Sequence, residues 1–217
     1  MDVEHTFAGD FESHLTVLLA AAEESRLIDW AAANGMRYTR IELDRGAVAD
    51  QPMLTFTRSG VIDELAQAVR EYSKALQAVG FPVTRAKIEA SPFNEGVPQT
   101  TGEAAALPAG CYFEHHIKLI LHDETDLSRV RELAEPHAAH LSRNARRAVD
   151  NGRHERFVTQ RCRDIGLPEA GRRLQILLEV LRAAGFPAIE VEREFVVYDD
   201  HPDLDAGWII EPAAAAR

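Results

Sequence analysis

Residues 112–121 read YFEHHIKLIL and residues 11–20 read FESHLTVLLA, so a similar strand-like segment occurs twice in the chain. Side chains alternate between the two faces of a strand. In both segments the apolar residues therefore share one face and ionisable or polar residues share the other. The polar faces carry Glu12, His14 and Thr16 in the first segment and Glu114, His116 and Lys118 in the second.

The same order of elements follows each segment: a helix, two strands, a second helix and a last strand. The second helix ends in VGFP at residues 79–82 and in AGFP at residues 184–187, at nearly the same distance from its first strand. Two such cues indicate an internal duplication, and βαββαβ is the ferredoxin-like pattern. We therefore predict an α+β fold made of tandem ferredoxin-like βαββαβ units. We expect two antiparallel sheets with a pseudo-twofold cleft.

The predicted domain division has three parts. Residues 1–90 form the first unit, and residues 111–217 form the second unit with a C-terminal tail. Residues 91–110 are rich in Pro, Gly and Thr, which is typical of a linker.

Composition limits the partners and the compartment. The formal net charge of −11 argues against a nucleic-acid backbone as the main partner. The two cysteines, Cys111 and Cys162, are too few for a disulfide framework and suit a reducing compartment. No apolar run approaches the roughly 20 residues that span a bilayer. We expect a cytoplasmic protein that does not bind membranes.

The polar faces point to a site. The last strands add Lys87 and Glu89 in the first half and Glu194 in the second. A histidine pKa lies near neutrality, so paired histidines such as His14 and His116 suit acid–base chemistry.

Two resemblances extend this expectation toward phosphate chemistry. The HLT of residues 14–16 resembles the histidine-x-Thr/Ser signature of the two-histidine phosphoesterases, in which paired histidines act as base and acid and hydroxyls hold the phosphate. The corresponding tripeptide is His116-Ile117-Lys118, where a lysine replaces the hydroxyl residue. Glu114-x-His116-x-Lys118 resembles the Glu-x-Glu-x-Lys strand of triphosphate-tunnel enzymes, with His116 in place of a glutamate.

A third resemblance covers nearly the whole chain. The segments FESHLT, YFEHHIKL, ERFVTQR and EREFVVYD make the chain similar to a bacterial family of duplicated ferredoxin-like proteins. That resemblance implies a stable two-copy fold and no particular activity.

The leading hypothesis is a phosphoesterase-type hydrolase that acts on a phosphorylated small molecule or nucleotide and needs no cofactor. In this hypothesis His14 and His116 are catalytic. Their anionic ligand is bound by Thr16, Lys87, Lys118 and Arg161, because lysine and arginine neutralise phosphate.

Two alternatives remain open at this stage. One is a non-catalytic small-ligand-binding domain that uses the same cleft. The other is a divalent-metal-dependent enzyme whose ligands are His14, Glu89, His116 and Glu194, because imidazole and carboxylate suit transition metals. An exposed polar sheet face would also be compatible with a homodimer.

Overall fold

The computed structural model describes residues 6–122, 124–146 and 154–208, without the side chain of Glu124. These residues contain eight β-strands and five α-helices. The strands are β1 (Ala8–Val17), β2 (Arg37–Leu43), β3 (Asp50–Val61), β4 (Val83–Ala90), β5 (Tyr112–Leu121), β6 (Ala139–Asn144), β7 (His154–Arg163) and β8 (Glu190–Asp199). The α-helices are α1 (Glu24–Ala33), α2 (Ile62–Ala78), α3 (Thr101–Ala106), α4 (Glu124–Ala134) and α5 (Leu167–Ala183). Single 3-10 turns span Ala21–Glu23, Glu135–His137 and Pro202–Asp205.

The α+β class and the order of the elements are confirmed. The order strand, helix, two strands, helix, strand occurs from β1 to β4 and again from β5 to β8. The division into residues 1–90, 91–110 and 111–217 stays a prediction. Its linker contains the helix α3, and residues 1–5 and 209–217 of its two units lie outside the described residues.

The eight strands form one closed antiparallel barrel in the order β1-β3-β2-β6-β7-β5-β8-β4. The prediction of two sheets is therefore wrong, and the pseudo-twofold cleft is not confirmed. The edge strands of the two halves pair with each other, β2 with β6 and β4 with β8. Within the described residues, closure pairs strands that would otherwise be open sheet edges, which is the physical advantage of a barrel over two open sheets.

The apolar strand faces lie on the outside of the barrel, under the helices. Two clusters of buried apolar residues form there, one represented by Leu15 and Leu65 and the other by Ile117 and Leu177. Helices α2 and α5 bury one apolar stripe each, as amphipathic helices do. Because side chains alternate between the two faces of a strand, the polar faces of β1, β4, β5 and β8 point into the barrel. Within the described residues, no helix is long and apolar enough to cross a membrane.

The segment between β4 and β5 is tied to the second half of the chain. Thr100 and Glu103 form a capping box at the start of α3, which satisfies backbone donors at the helix N-terminus. The Leu167 amide donates a hydrogen bond to the Pro98 carbonyl over 2.9 Å. A Cβ atom at Gly166 would overlap the backbone of Gln99 and Thr100.

We expect Gly166→Ala to lower the free energy of unfolding by about 1–3 kcal/mol, the range of overpacking, because the clash is with backbone that cannot rotate away. Gly171→Ala is the matched control, since it lies in α5 with nothing within 4 Å of a new Cβ. It should stabilise the protein by up to about 1 kcal/mol through helix propensity. Urea unfolding measures both, and equal effects would contradict this packing.

Candidate functional site

The barrel interior holds a cavity of about 380 Å³. It is lined by the predicted site residues His14, Thr16, Lys87, His116 and Lys118. Glu89 and Glu194 line it as well, and they also line an adjoining cavity of about 690 Å³ at the barrel mouth. These seven residues therefore meet inside the closed barrel. Arg161 is buried beside this cavity and does not line it.

His14 is held between a hydroxyl and a carboxylate. Thr55 lies opposite His14 in the β1–β3 ladder, and its Oγ1 atom is 2.9 Å from His14 Nδ1. The other ring nitrogen, Nε2, is 2.7 Å from Glu89 Oε2. Burial lowers the pKa of His14, but the charge and hydrogen bond of Glu89 outweigh it, so the pKa is raised.

His116 has the same arrangement in the second half. Thr159 lies opposite it in the β5–β7 ladder, with Oγ1 3.0 Å from His116 Nδ1. His116 Nε2 lies 3.3 Å from Glu194 Oε2. Burial again lowers the pKa of His116, yet the hydrogen bond to Glu194 and nearby carboxylate charges raise it to about 9. Sequence analysis missed both threonines, although each lies at the ladder position opposite its histidine.

Glu89, His116 and Glu194 form a compact cluster. Each offers one potential ligand atom, and these atoms all lie within 4.8 Å of one another. Burial and the charge of Glu89 raise the pKa of Glu194 to about 7. The cluster therefore brings two carboxylates close enough that one of them retains a proton near neutrality.

Lys87 and Arg161 are already neutralised by carboxylates. Lys87 Nζ contacts both Glu89 and Glu114. Arg161 Nε donates a hydrogen bond to Glu114 Oε1 over 2.6 Å. Burial raises the pKa of Glu114, but the charges of Lys87 and Arg161 outweigh it and lower the pKa to about 2.

A further buried carboxylate comes from outside the sheet. Asp205 lies in the 3-10 turn after β8 and accepts hydrogen bonds from Arg85 Nη1 at 3.0 and 3.1 Å. It also accepts from Arg161 Nη2 at 2.6 Å and from Gln51 Nε2 at 3.1 Å. Sequence analysis did not assign Asp205 to the site. The only signal was the run of acidic residues in the tail, where Asp199 also binds Arg85.

The phosphoesterase hypothesis is wrong because of this charge arrangement. Lys118 binds Glu190 at 3.1 Å and Glu155 at 3.5 Å, so the lysines and Arg161 proposed for phosphate all hold carboxylates. Both histidines also hold carboxylates. The cavity wall carries five glutamates, which balance the four arginine and lysine side chains that line it. Its carboxylates are Glu12, Glu89, Glu190, Glu192 and Glu194.

Solved structures with similar outlines belong to several kinds of protein. One is the acetolactate synthase small subunit from Thermotoga maritima, at 10% identity, covering 88% of this chain and 95% of that chain, with a TM-score of 0.31. Another is chlorite dismutase from Candidatus Nitrospira defluvii in complex with imidazole, at 11% identity, covering 87% and 91%, with a TM-score of 0.29. A third is a heme-binding protein from Thermus thermophilus, at 14% identity, covering 88% and 91%, with a TM-score of 0.28.

At these identities and TM-scores the likeness does not extend to a shared function. No protein-family model matches the chain, and no curated protein matches it.

The ion pairs of Glu114 make the protein sensitive to acid. A carboxyl group whose pKa is lowered on folding stabilises the protein above its ordinary pKa, and that stabilisation is lost as the pH falls. For Glu114 the loss should occur between about pH 4.5 and pH 2. Glu114→Gln should cost roughly 3–5 kcal/mol at neutral pH, because it leaves buried cations uncompensated, and should flatten the acid dependence.

Unfolding by urea across this pH range measures both effects. Glu12→Gln is the control, because Glu12 lies on β1 as Glu114 lies on β5 but pairs with the exposed Arg37. It should cost less than about 1 kcal/mol. If the free energy of unfolding of Glu114→Gln depends on acid pH as strongly as that of the wild type, the ion pairs of Glu114 are not the cause of the acid sensitivity.

Proposed function

We propose that the barrel is a ligand-binding domain whose interior cluster of Glu89, His116 and Glu194 binds a divalent transition metal ion. The observation that carries this proposal is the approach of their three ligand atoms to within 4.8 Å of one another. The proposal concerns binding and assigns no reaction.

The chemistry of the donors favours a transition metal. His14 is outside the compact group of three, but its Nε2 atom bonds to Glu89 and brings a second imidazole to the cluster. Imidazole with carboxylate suits ions such as Zn²⁺, Mn²⁺ and Fe²⁺, whereas Ca²⁺ prefers oxygen ligands alone.

The threonines support the same choice. A histidine that binds a metal usually donates its other ring N–H to a nearby acceptor, which sets the tautomer and the ring orientation. Thr55 and Thr159 contact the Nδ1 atoms of His14 and His116. Both rings therefore direct Nε2 toward the carboxylates, where a metal ion would take the place of protons.

Heme does not fit the interior. A heme group needs broad apolar walls, whereas the cavity is lined mainly by charged and polar side chains. Its few apolar lining residues are Ile41, Met53, Phe157 and Trp208. Both cavity histidines are also held by a carboxylate and a hydroxyl. We therefore assign no heme to this chain.

Metal titration tests the proposal directly. We expect the protein, stripped with chelator, to bind about one equivalent of Zn²⁺ or Mn²⁺ by calorimetry, and more weakly at pH 6 than at pH 8 because histidine must lose its proton to bind. His116→Ala and Glu194→Gln should abolish this binding. Glu190→Gln is the control, because it lies on the same strand and pairs with Lys118 outside the cluster.

A protein that binds no metal, or equal losses in Glu194→Gln and Glu190→Gln, would overturn the proposal. Circular dichroism of each variant separates loss of the site from loss of the fold.

The role of Thr159 gives a second test. Thr159→Val removes the hydroxyl group that contacts His116 Nδ1 and changes the side-chain volume little. It should lower the metal affinity about 10- to 100-fold, because loss of a hydrogen-bond partner of a metal-binding histidine has an effect of this size. Thr159→Ser retains the hydroxyl and should retain most of the affinity. Equal affinities in the two variants would show that the hydroxyl does not orient the ring.

A further inference from the structure

The segment that follows β8, residues 200–208, lies across one end of the barrel. The Ala47 amide donates to the Ala206 carbonyl over 3.1 Å, and Trp208 Nε1 donates to the Leu141 carbonyl over 2.7 Å. Asp203 and Gly207 are exposed, whereas Asp205 and Trp208 are buried. Asp205 is therefore buried, although residues on both sides of it in this segment are exposed to water.

Asp205 meets three donors from three different strands. Gln51 belongs to β3, Arg85 to β4 and Arg161 to β7, and each is at most 8% exposed. Two arginines and an amide that converge on one point form a receptor for a planar carboxylate. The sheet builds this receptor, and the carboxylate in it comes from outside the sheet.

Each arginine already has a carboxylate partner without Asp205. Arg85 donates to both oxygens of Asp199, at 2.9 and 2.6 Å, and Arg161 donates to Glu114 at 2.6 Å. Asp205 is thus an additional anion that fills remaining donor positions of both guanidinium groups.

We propose that Gln51, Arg85 and Arg161 form a binding site for a small carboxylate, which Asp205 occupies as a tethered ligand and which a free carboxylate takes when residues 200–208 move away. The site shares no residue with the proposed metal cluster, although Gln51 and Arg85 line the same cavity, and the proposal goes beyond metal binding. Because a tethered group acts at an effective concentration in the millimolar range or above, a free carboxylate competes only at high concentration in the wild-type protein.

Trp208 reports displacement of the segment. The chain has two tryptophans, so Trp30→Phe leaves Trp208 as the only source of indole emission. We expect sodium acetate to shift that emission to the red with saturation, while sodium chloride at equal ionic strength does not. Adding Arg161→Gln should abolish the acetate response.

Removal of the tethered carboxylate gives the second measurement. Asp205→Ala should lower the melting temperature, and acetate should restore it with half-saturation at least tenfold below that for the Trp208 shift. Asp203→Ala, in the same turn but exposed, should melt like the wild type and gain nothing specific from acetate.

Each other outcome overturns the proposal. Acetate could restore the melting temperature of Asp205→Ala and yet cause no shift of the Trp208 emission in the Trp30→Phe protein. Asp205 would then be only a structural counterion. Failure of Asp205→Ala to fold with or without acetate would show that a free carboxylate cannot replace it. Metal titration of the Trp30→Phe protein tests the metal proposal independently. Its metal affinity should equal that of the wild-type protein, whichever of these two outcomes is found.

Discussion

Closure of the sheet by the β2–β6 and β4–β8 pairs encloses polar strand faces that would otherwise meet water. A charge removed from water is costly unless another charge or several hydrogen bonds compensate it. The interior therefore consists of linked ion pairs, in which Glu114 joins Lys87 to Arg161 and Asp205 joins Arg161 to Arg85. The apolar clusters that stabilise the fold lie outside the barrel, against the helices.

This network also determines what the interior can bind. Lysine and arginine side chains are neutralised by Glu114, Glu190 and the aspartates, so they do not form a free phosphate site. Glu89 and Glu194 face the two histidines, and burial together with the charge of Glu89 raises the pKa of Glu194. Glu89, His116 and Glu194 are the residues for which we propose a metal ion. His116, which the sequence suggested for phosphate chemistry, thus belongs to the proposed metal cluster.

The strand faces could be predicted from the sequence, because the alternation of apolar and polar residues is a local property. Period-two alternation in YFEHHIKLIL and FESHLTVLLA predicted which residues share a face, and His14 and His116 do lie on the polar faces together. The closed barrel could not be predicted from the sequence, because the pairing of Ile41 with Asn144 joins residues that are far apart in the chain. Nothing in either local segment specifies that its edge meets the edge of the other half.

The sequence by itself determined the order of the elements and the polar and apolar faces of the first and last strands in each half. It also placed His14 and His116 on polar faces. Only the tertiary structure decided which charge neutralises which, because a partner across the barrel depends on strand register and closure. Asp205 shows the difference most clearly: in the sequence it is one acid in an acidic tail, and in the fold it reaches two buried arginines from β4 and β7. Long-range register is set by the packing of the whole sheet, and no short stretch of residues contains it.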